Sequence, residues 1–315
     1  MGLDRGGLAE LAAQLAAALR EEVLPHIGRP EGRKHVGGAG EGSSGDVTFA
    51  IDERAEAFME QFLAERAPDV AFYSEDRGMV APAGEPAWVL VVDPIDGTRP
   101  AMAGLEPACV SVAAAPLAGE PRMGDVEAAC IVEIKSGATF RALRGEGIDP
   151  AARLSANTDL ARMFWTYGLR GRPVRPMAEV LADLVDGSSV GGATFDLGSA
   201  CFDMTRIATG QLDAYVEPGP RMVADVAGMR EEFERVGGGA VLNNSPYDLA
   251  AAVLCLEEAG AIVTDAYGNG LDDRPLLGSD ADFQMSVVAA ANAELHSQIV
   301  TALDRGIERL ALWVV

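Results

Sequence analysis

The chain has 315 residues, with 48 acidic side chains against 25 basic ones and a net charge of −23. A surface of that sign repels nucleic-acid backbones and anionic membranes, and an anionic substrate needs cations gathered locally to bind it. Cys109, Cys130, Cys201 and Cys255 lie apart inside apolar runs without zinc or redox spacing and read as reduced core residues, while His26, His35 and His296 are isolated and offer histidine-based hydrolysis little to build on. No run of eighteen apolar residues occurs, and the amino terminus lacks the uninterrupted apolar core of a secretory signal, so the expectation is a soluble, cytoplasmic protein.

Leu8, Leu11, Leu15 and Leu19 recur at helical spacing and predict an opening helix that ends before Pro25. Residues 28–45, rich in Gly and Ser, predict a loop. A second helix follows, begun by Asp52, with Ile51, Ala55, Phe58 and Phe62 as its buried stripe. From Trp88 to Val92 a continuous apolar run predicts a strand buried on both faces that stops at Asp93 and Pro94. Strands at 108–115, 125–134 and 138–143 enlarge it into a largely antiparallel sheet. Beyond a cluster at Gly145, Gly147 and Pro150 the pattern alternates. Helices around 176–185, 199–209 and 248–259 and strands at 212–216 and 261–264 predict a second, helix-covered sheet. The expectation is an α+β chain of two packed subdomains, residues 1–150 and 151–315.

The segment Asp93-Pro94-Ile95-Asp96-Gly97-Thr98 places two carboxylates, a glycine and a hydroxyl just past a buried strand. Pro94 stiffens the turn so that both carboxylates can converge on hard cations, and Gly97 lets a ligand approach the backbone closely. Taken alone, the same residues could form an ordinary Asp-rich turn with Thr98 as a helix cap.

Three further segments occur with it in a fixed order: Gly45-Asp46-Val47-Thr48 followed by Asp52, Ser74-Glu75-Asp76, and Tyr247-Asp248-Leu249-Ala250-Ala251 leading to Glu257-Glu258-Ala259-Gly260. In that order the four segments resemble the inositol monophosphatase family over most of the chain. The resemblance implies a layered α/β/α/β/α sandwich of the sugar phosphatase type and a lithium-sensitive, Mg²⁺-dependent phosphatase that uses two to three ions. Glu75, Asp93 and the Ile95 carbonyl would hold the first ion, Asp93, Asp96 and Asp248 the second, and Glu75 with water the third. Oxygen-only ligands suit Mg²⁺, and two ions roughly 3.5–4 Å apart can clamp an in-line displacement at phosphorus. The resemblance also gives Asp46 and Thr98 the task of orienting a water, and the N–H groups of Gly97 and Thr98 that of cradling phosphate. Gly198, Ser199, Ala200 and Glu217, together with Asp248, would contact the alcohol part of a small phosphorylated polyol or sugar. A homodimer is a further family expectation; nucleic acid and membrane are not expected partners.

The match has departures. The turn continues as Arg99-Pro100-Ala101-Met102, Phe195-Asp196 replaces a basic residue, and Tyr247 stands in for a tryptophan. The stretch from Gly219 to Pro246, with a helix predicted at 228–236, is longer than the family norm, and Asp225 within it is a competing candidate for the role given to Asp248. Inositol 1-phosphate is the first-ranked substrate, ahead of fructose 1,6-bisphosphate and adenosine 3′,5′-bisphosphate. A haloacid-dehalogenase-like phosphatase fits less well because Asp93 and Asp96 are three apart rather than two. A metal-dependent phosphate-binding protein without turnover is the non-enzyme alternative.

Overall fold

The computed structural model describes residues 3–36 and 48–313. Helix α1 (Arg5–Val23) starts at Asp4, whose carboxylate accepts the Gly7 N–H at 2.8 Å, and it buries Leu8, Leu11, Leu15 and Leu19 as their spacing requires. Pro25 then sits in a single 3₁₀ turn. Helix α2 (Ala50–Arg66) departs from expectation at both its start and its stripe. It begins after Phe49, and Asp52, inside the first turn, folds back to accept the Phe49 N–H at 3.0 Å. The buried row is Ile51, Ala55, Met59 and Leu63; Phe58 and Phe62, a step round the helix, are only partly covered.

Among the described residues the first sheet has seven strands. They are β1 (Ala71–Ser74), β2 (Gly78–Val80), β3 (Trp88–Asp96), β4 (Cys109–Pro116), β5 (Ala128–Glu133), β6 (Thr139–Leu143) and β7 (Gly147–Asp149), with the short helix α3 (Thr98–Ala103) between β3 and β4. The order is β2-β1-β3-β4-β5-β6-β7, and every pairing is antiparallel except β1 with β3. Strand β3 does not stop at Asp93 but runs on to Asp96 through an irregularity: Asp93 faces Ser111 and Asp96 faces Cys109, so three steps on one strand match two on the other. Pro94, which has no N–H to give a ladder, is tolerated at such a bulge.

The second half adds β8 (Phe164–Tyr167), α4 (Val174–Gly187), β9 (Ala193–Phe195), α5 (Ala200–Ala208), β10 (Ala214–Glu217), α6 (Gly219–Asp225), α7 (Met229–Val236), α8 (Pro246–Glu258), β11 (Ile262–Thr264), β12 (Val287–Ala290) and α9 (Ala293–Trp313). Among the described residues its five strands lie in the order β11-β12-β10-β8-β9. Helices α1 and α2 cover the outer face of the first sheet, α5 and α8 fill the space between the sheets, and α4 and α9 cover the outer face of the second. The chain is therefore an α+β protein layered α/β/α/β/α. Period-2 alternation feeds the layers: Leu90 and Val92 join the core under α1, while Val89 and Val91 join the one against α5 and α8. Across the layers, Glu258 at the end of α8 accepts the N–H groups of Gly145 and Gly147, each at 2.7 Å, which ties the middle layer to the β6–β7 turn.

Candidate active site

The bulge in β3 builds the site. In a regular strand, residues three apart point to opposite faces; one extra residue between Asp93 and Asp96 restores them to the same side. There they meet Asp248 from the first turn of α8, and the three residues each place a carboxylate oxygen within 4.8 Å of the others. Hydrogen bonds aim each carboxylate. Asp93 Oδ1 accepts the Ile95 N–H at 3.0 Å, and Asp248 Oδ2 accepts the Ser245 N–H at 2.6 Å in a capping box. Asp96 Oδ2 takes both the Ser199 hydroxyl and the Cys201 N–H at 2.6 Å, so it docks the start of α5 onto the aspartate turn. Glu75, one residue past β1, lines the same pocket, although its carboxylate is not among the three that close within 4.8 Å.

So many buried carboxylates repel one another. Burial, then the charges of Asp96, Asp248 and Glu75, hold the Asp93 carboxyl well above the ordinary range; burial, then Asp96 and Glu75, do the same to Asp248. Asp96 is raised by burial against the pull of its hydrogen bonds from Ser199 and Cys201. Asp203 of α5, which sequence reasoning passed over, is 1% exposed, lines the pocket and is raised well above the usual range by burial and by Asp96. Ordinary polar spacing within a helix gives no signal for it. The donor set consists of oxygens, and its excess negative charge fits a hard divalent cation such as Mg²⁺.

At the turn itself, Gly97 has φ of 89°, and a Cβ there would lie 2.6 Å from the Pro107 carbonyl and 2.8 Å from Ser199 Cβ, so both the backbone and the space demand glycine. The Thr98 hydroxyl lies 2.9 Å from Asp52 Oδ1 and 3.1 Å from the Ile95 carbonyl. Asp46, assigned to Thr98 by resemblance, lies outside the described residues. Burial raises the Asp52 carboxyl to about 7. Arg99, a departure from the family turn, lines the pocket and lays its guanidinium 5.4 Å from the centre of the Phe49 ring. Tyr247, the other aromatic departure, stacks on Tyr73 with ring centres 6.5 Å apart.

Gly198, Ser199 and Ala200 line the pocket beside the turn, against which Ser199 packs. Ser199 caps α5 by accepting the Phe202 N–H at 3.2 Å while donating to Asp96. Glu217 is not at the pocket surface. It is fully buried at the end of β10, accepts the Gly219 N–H at 2.9 Å and is ion-paired to Arg172, which lines the pocket in its place. The long segment after Glu217 forms α6 and α7 and returns through Leu242, Asn243 and Asn244, all three on the pocket wall. Asp225, the competitor of Asp248, ends α6 and bonds to Arg221 and the Tyr267 hydroxyl, away from the carboxylate cluster.

Residues 7–308 match the model of the inositol monophosphatase family. The chain is 28% identical over 310 residues to the fructose-1,6-bisphosphatase/inositol-1-monophosphatase of Methanothermobacter thermautotrophicus, covering 93% of this chain and 95% of that one. To the inositol-1-monophosphatase of a Synechocystis strain it is 25% identical, with 93% and 88% covered. Among solved structures, the extragenic suppressor protein suhB from Bartonella henselae superposes with a TM-score of 0.69 at 22% identity over 94% of this chain and 98% of that one, a likeness of fold.

Proposed function

The chain belongs to the inositol monophosphatase family, a family of metal-dependent phosphatases, and from that premise we propose that it hydrolyses a small polyol or sugar phosphate monoester with Mg²⁺, inositol 1-phosphate first among the candidates. The observation that carries the reading is the convergence of Asp93, Asp96 and Asp248 within 4.8 Å beside Gly97 and Thr98. A phosphate dianion cannot enter so acidic a pocket unaided; cations held by Asp93, Asp96, Asp248 and Glu75 reconcile it with the site. When bound, such ions supply a lowered pKa for water and neutralisation of charge on the phosphoryl group.

The chain's own residues do the positioning. The Thr98 hydroxyl, held between Asp52 Oδ1 and the Ile95 carbonyl, is placed to orient a water toward the phosphorus. Gly97, in the left-handed conformation and packed against the Pro107 carbonyl and Ser199, lets the turn close onto the start of α5 beside the carboxylates. Ser199 and the Cys201 N–H hold Asp96 in its orientation, so metal site and substrate wall move as one unit. Fructose 1,6-bisphosphate ranks second because the Methanothermobacter relative carries both activities in its name, at an identity too low to transfer either. Phosphate release from a panel of inositol, sugar and nucleotide phosphates, with and without Mg²⁺, tests the reading. Mg²⁺-dependent release from polyol monophosphates is expected; no release from any member, or release indifferent to chelation, overturns it.

A further inference from the structure

Cys201, in the first turn of α5, is fully buried and does not line the pocket, yet its hydrogen bonds reach two of the three segments that carry the carboxylates. Its N–H donates to Asp96 Oδ2 at 2.6 Å, and its thiol lies 3.2 Å from the carbonyl oxygen of Asp248. A carbonyl has no proton to give, so the thiol is the donor. Ser199 holds the Asp96 side and the Ser245 N–H holds the Asp248 side, whereas Cys201 ties the one to the other. The tie bears on the carboxylates themselves. Asp248 is bound back to the start of α8 through its capping box, so its carboxylate moves with that helix start, and the thiol fixes the helix start against the residue that grips Asp96. Asp93 takes its orientation from the Ile95 N–H inside the bulge, without help from α5.

We infer that Cys201 is a positioning residue for one cation alone: it sets the gap between Asp96 and Asp248, and with it the affinity for the ion that those two carboxylates share with Asp93. An ion held by Glu75, Asp93 and the Ile95 carbonyl does not depend on it. The inference rests on the metal assignment proposed above and adds to it a residue that touches no ion. Mg²⁺ tolerates little departure from its short, octahedral contacts, so a carboxylate that drifts with its helix is lost as a ligand rather than stretched. A thiol is a weak donor, which places the effect of losing it at the low end of what outer hydrogen-bond partners contribute to metal affinity.

Mn²⁺ titrated into the metal-free protein, followed by calorimetry and by the paramagnetic resonance of the free ion, resolves the binding steps without reference to turnover. Wild type is expected to bind two or more ions. In Cys201→Ala, which keeps the N–H and loses the thiol, one step is expected to weaken about three- to tenfold while another stays within about twofold. Cys201→Ser restores a donor and is expected to recover part of the loss. Cys255→Ala removes an equally buried thiol further along α8 and controls for the cavity; it is expected to lower the melting temperature and leave every step within about twofold. Steps all unchanged in Cys201→Ala, steps all weakened alike, or an equal loss in Cys255→Ala overturns the inference, as does a wild type that binds a single ion. A wild type that binds none overturns the metal assignment as well. Selective weakening by Cys201→Ala in a protein that releases phosphate from no ester would sink the phosphatase reading and leave this one standing.

Discussion

On one side of the pocket the working groups are neighbours in sequence: Asp93, Ile95, Asp96, Gly97 and Thr98 lie within one bulged strand end and the turn after it. On the other side, Arg172 comes from the loop after β8, Asn243 and Asn244 from the return of the long segment behind α7, and Gln284 from the approach to β12. The first side gathers buried carboxylates; the second holds a buried ion pair, Arg172 against Glu217. On the reading proposed above, the groups that act at the phosphorus are one compact motif joined by Asp248 from α8 and Glu75 from beyond β1, whereas the opposite wall is assembled from loops that can be exchanged without disturbing that motif.

The sharpest way to break that contrast is to remove charge from the acidic side. Asp93→Asn is expected to lower kcat by on the order of 10⁴-fold, about 5.5 kcal/mol of transition-state stabilisation, while the apo protein melts no lower than wild type because a repelled buried carboxylate is gone. Phosphate release and calorimetric melting of the same preparation check both halves. Activity within tenfold of wild type would show that Asp93 does not bridge the ions.

The paired side gives the next effect. Arg172→Met strands Glu217 as a buried, unpaired acid and is expected to cost roughly 3–5 kcal/mol in denaturant unfolding, most of it recovered in Arg172→Met/Glu217→Leu. A single-variant cost near zero would mean that Glu217 reaches water or substrate after all. Smaller again is the Thr98 hydroxyl. Asp52→Asn and Thr98→Ala should each slow turnover by on the order of 10²-fold, with Mg²⁺ affinity retained and the double variant scarcely slower. If Asp46→Asn shows that loss and Asp52→Asn does not, the partner is the one the family resemblance implies.

How far the sequence reached follows the same division. The leucine row of α1, the apolar run before Asp93 and the helix behind Asp248 were legible because each repeats a simple period over enough residues. The bulge was not legible: sequence reading stopped the strand at Asp93, since nothing local says that pairing resumes with Cys109 after Pro94. The strands β8, β9 and β12, three or four residues each, were missed, whereas β10 and β11, which are no longer, were anticipated. Glu217 was placed at the substrate by resemblance, and only the tertiary structure reveals Arg172 closing over it from 45 residues earlier in the chain.

The last expected effect concerns an acid behind the motif and touches stability alone. Glu56 of α2 is 2% exposed and accepts the Ser74 hydroxyl at 2.8 Å, next in sequence to Glu75. Burial is the main cause that raises its carboxyl from 4.5 to about 8, with the Ser74 hydrogen bond and Arg77 pulling the other way. The folded chain thus holds a proton that the unfolded chain has released. The associated stability is fully present below pH 4.5, declines as pH rises toward 8 and is gone above it, at about 1.4 kcal/mol per pH unit for one such group. Glu56→Gln keeps an oxygen for Ser74 and cannot ionise. Its melting temperature in chelator should therefore match wild type near pH 4.5 and exceed it increasingly toward pH 8. Because the metal-site aspartates titrate alike in both proteins, the difference between the two curves isolates Glu56, and parallel curves across that range would mean that this carboxyl is already charged in the native layer beneath the site.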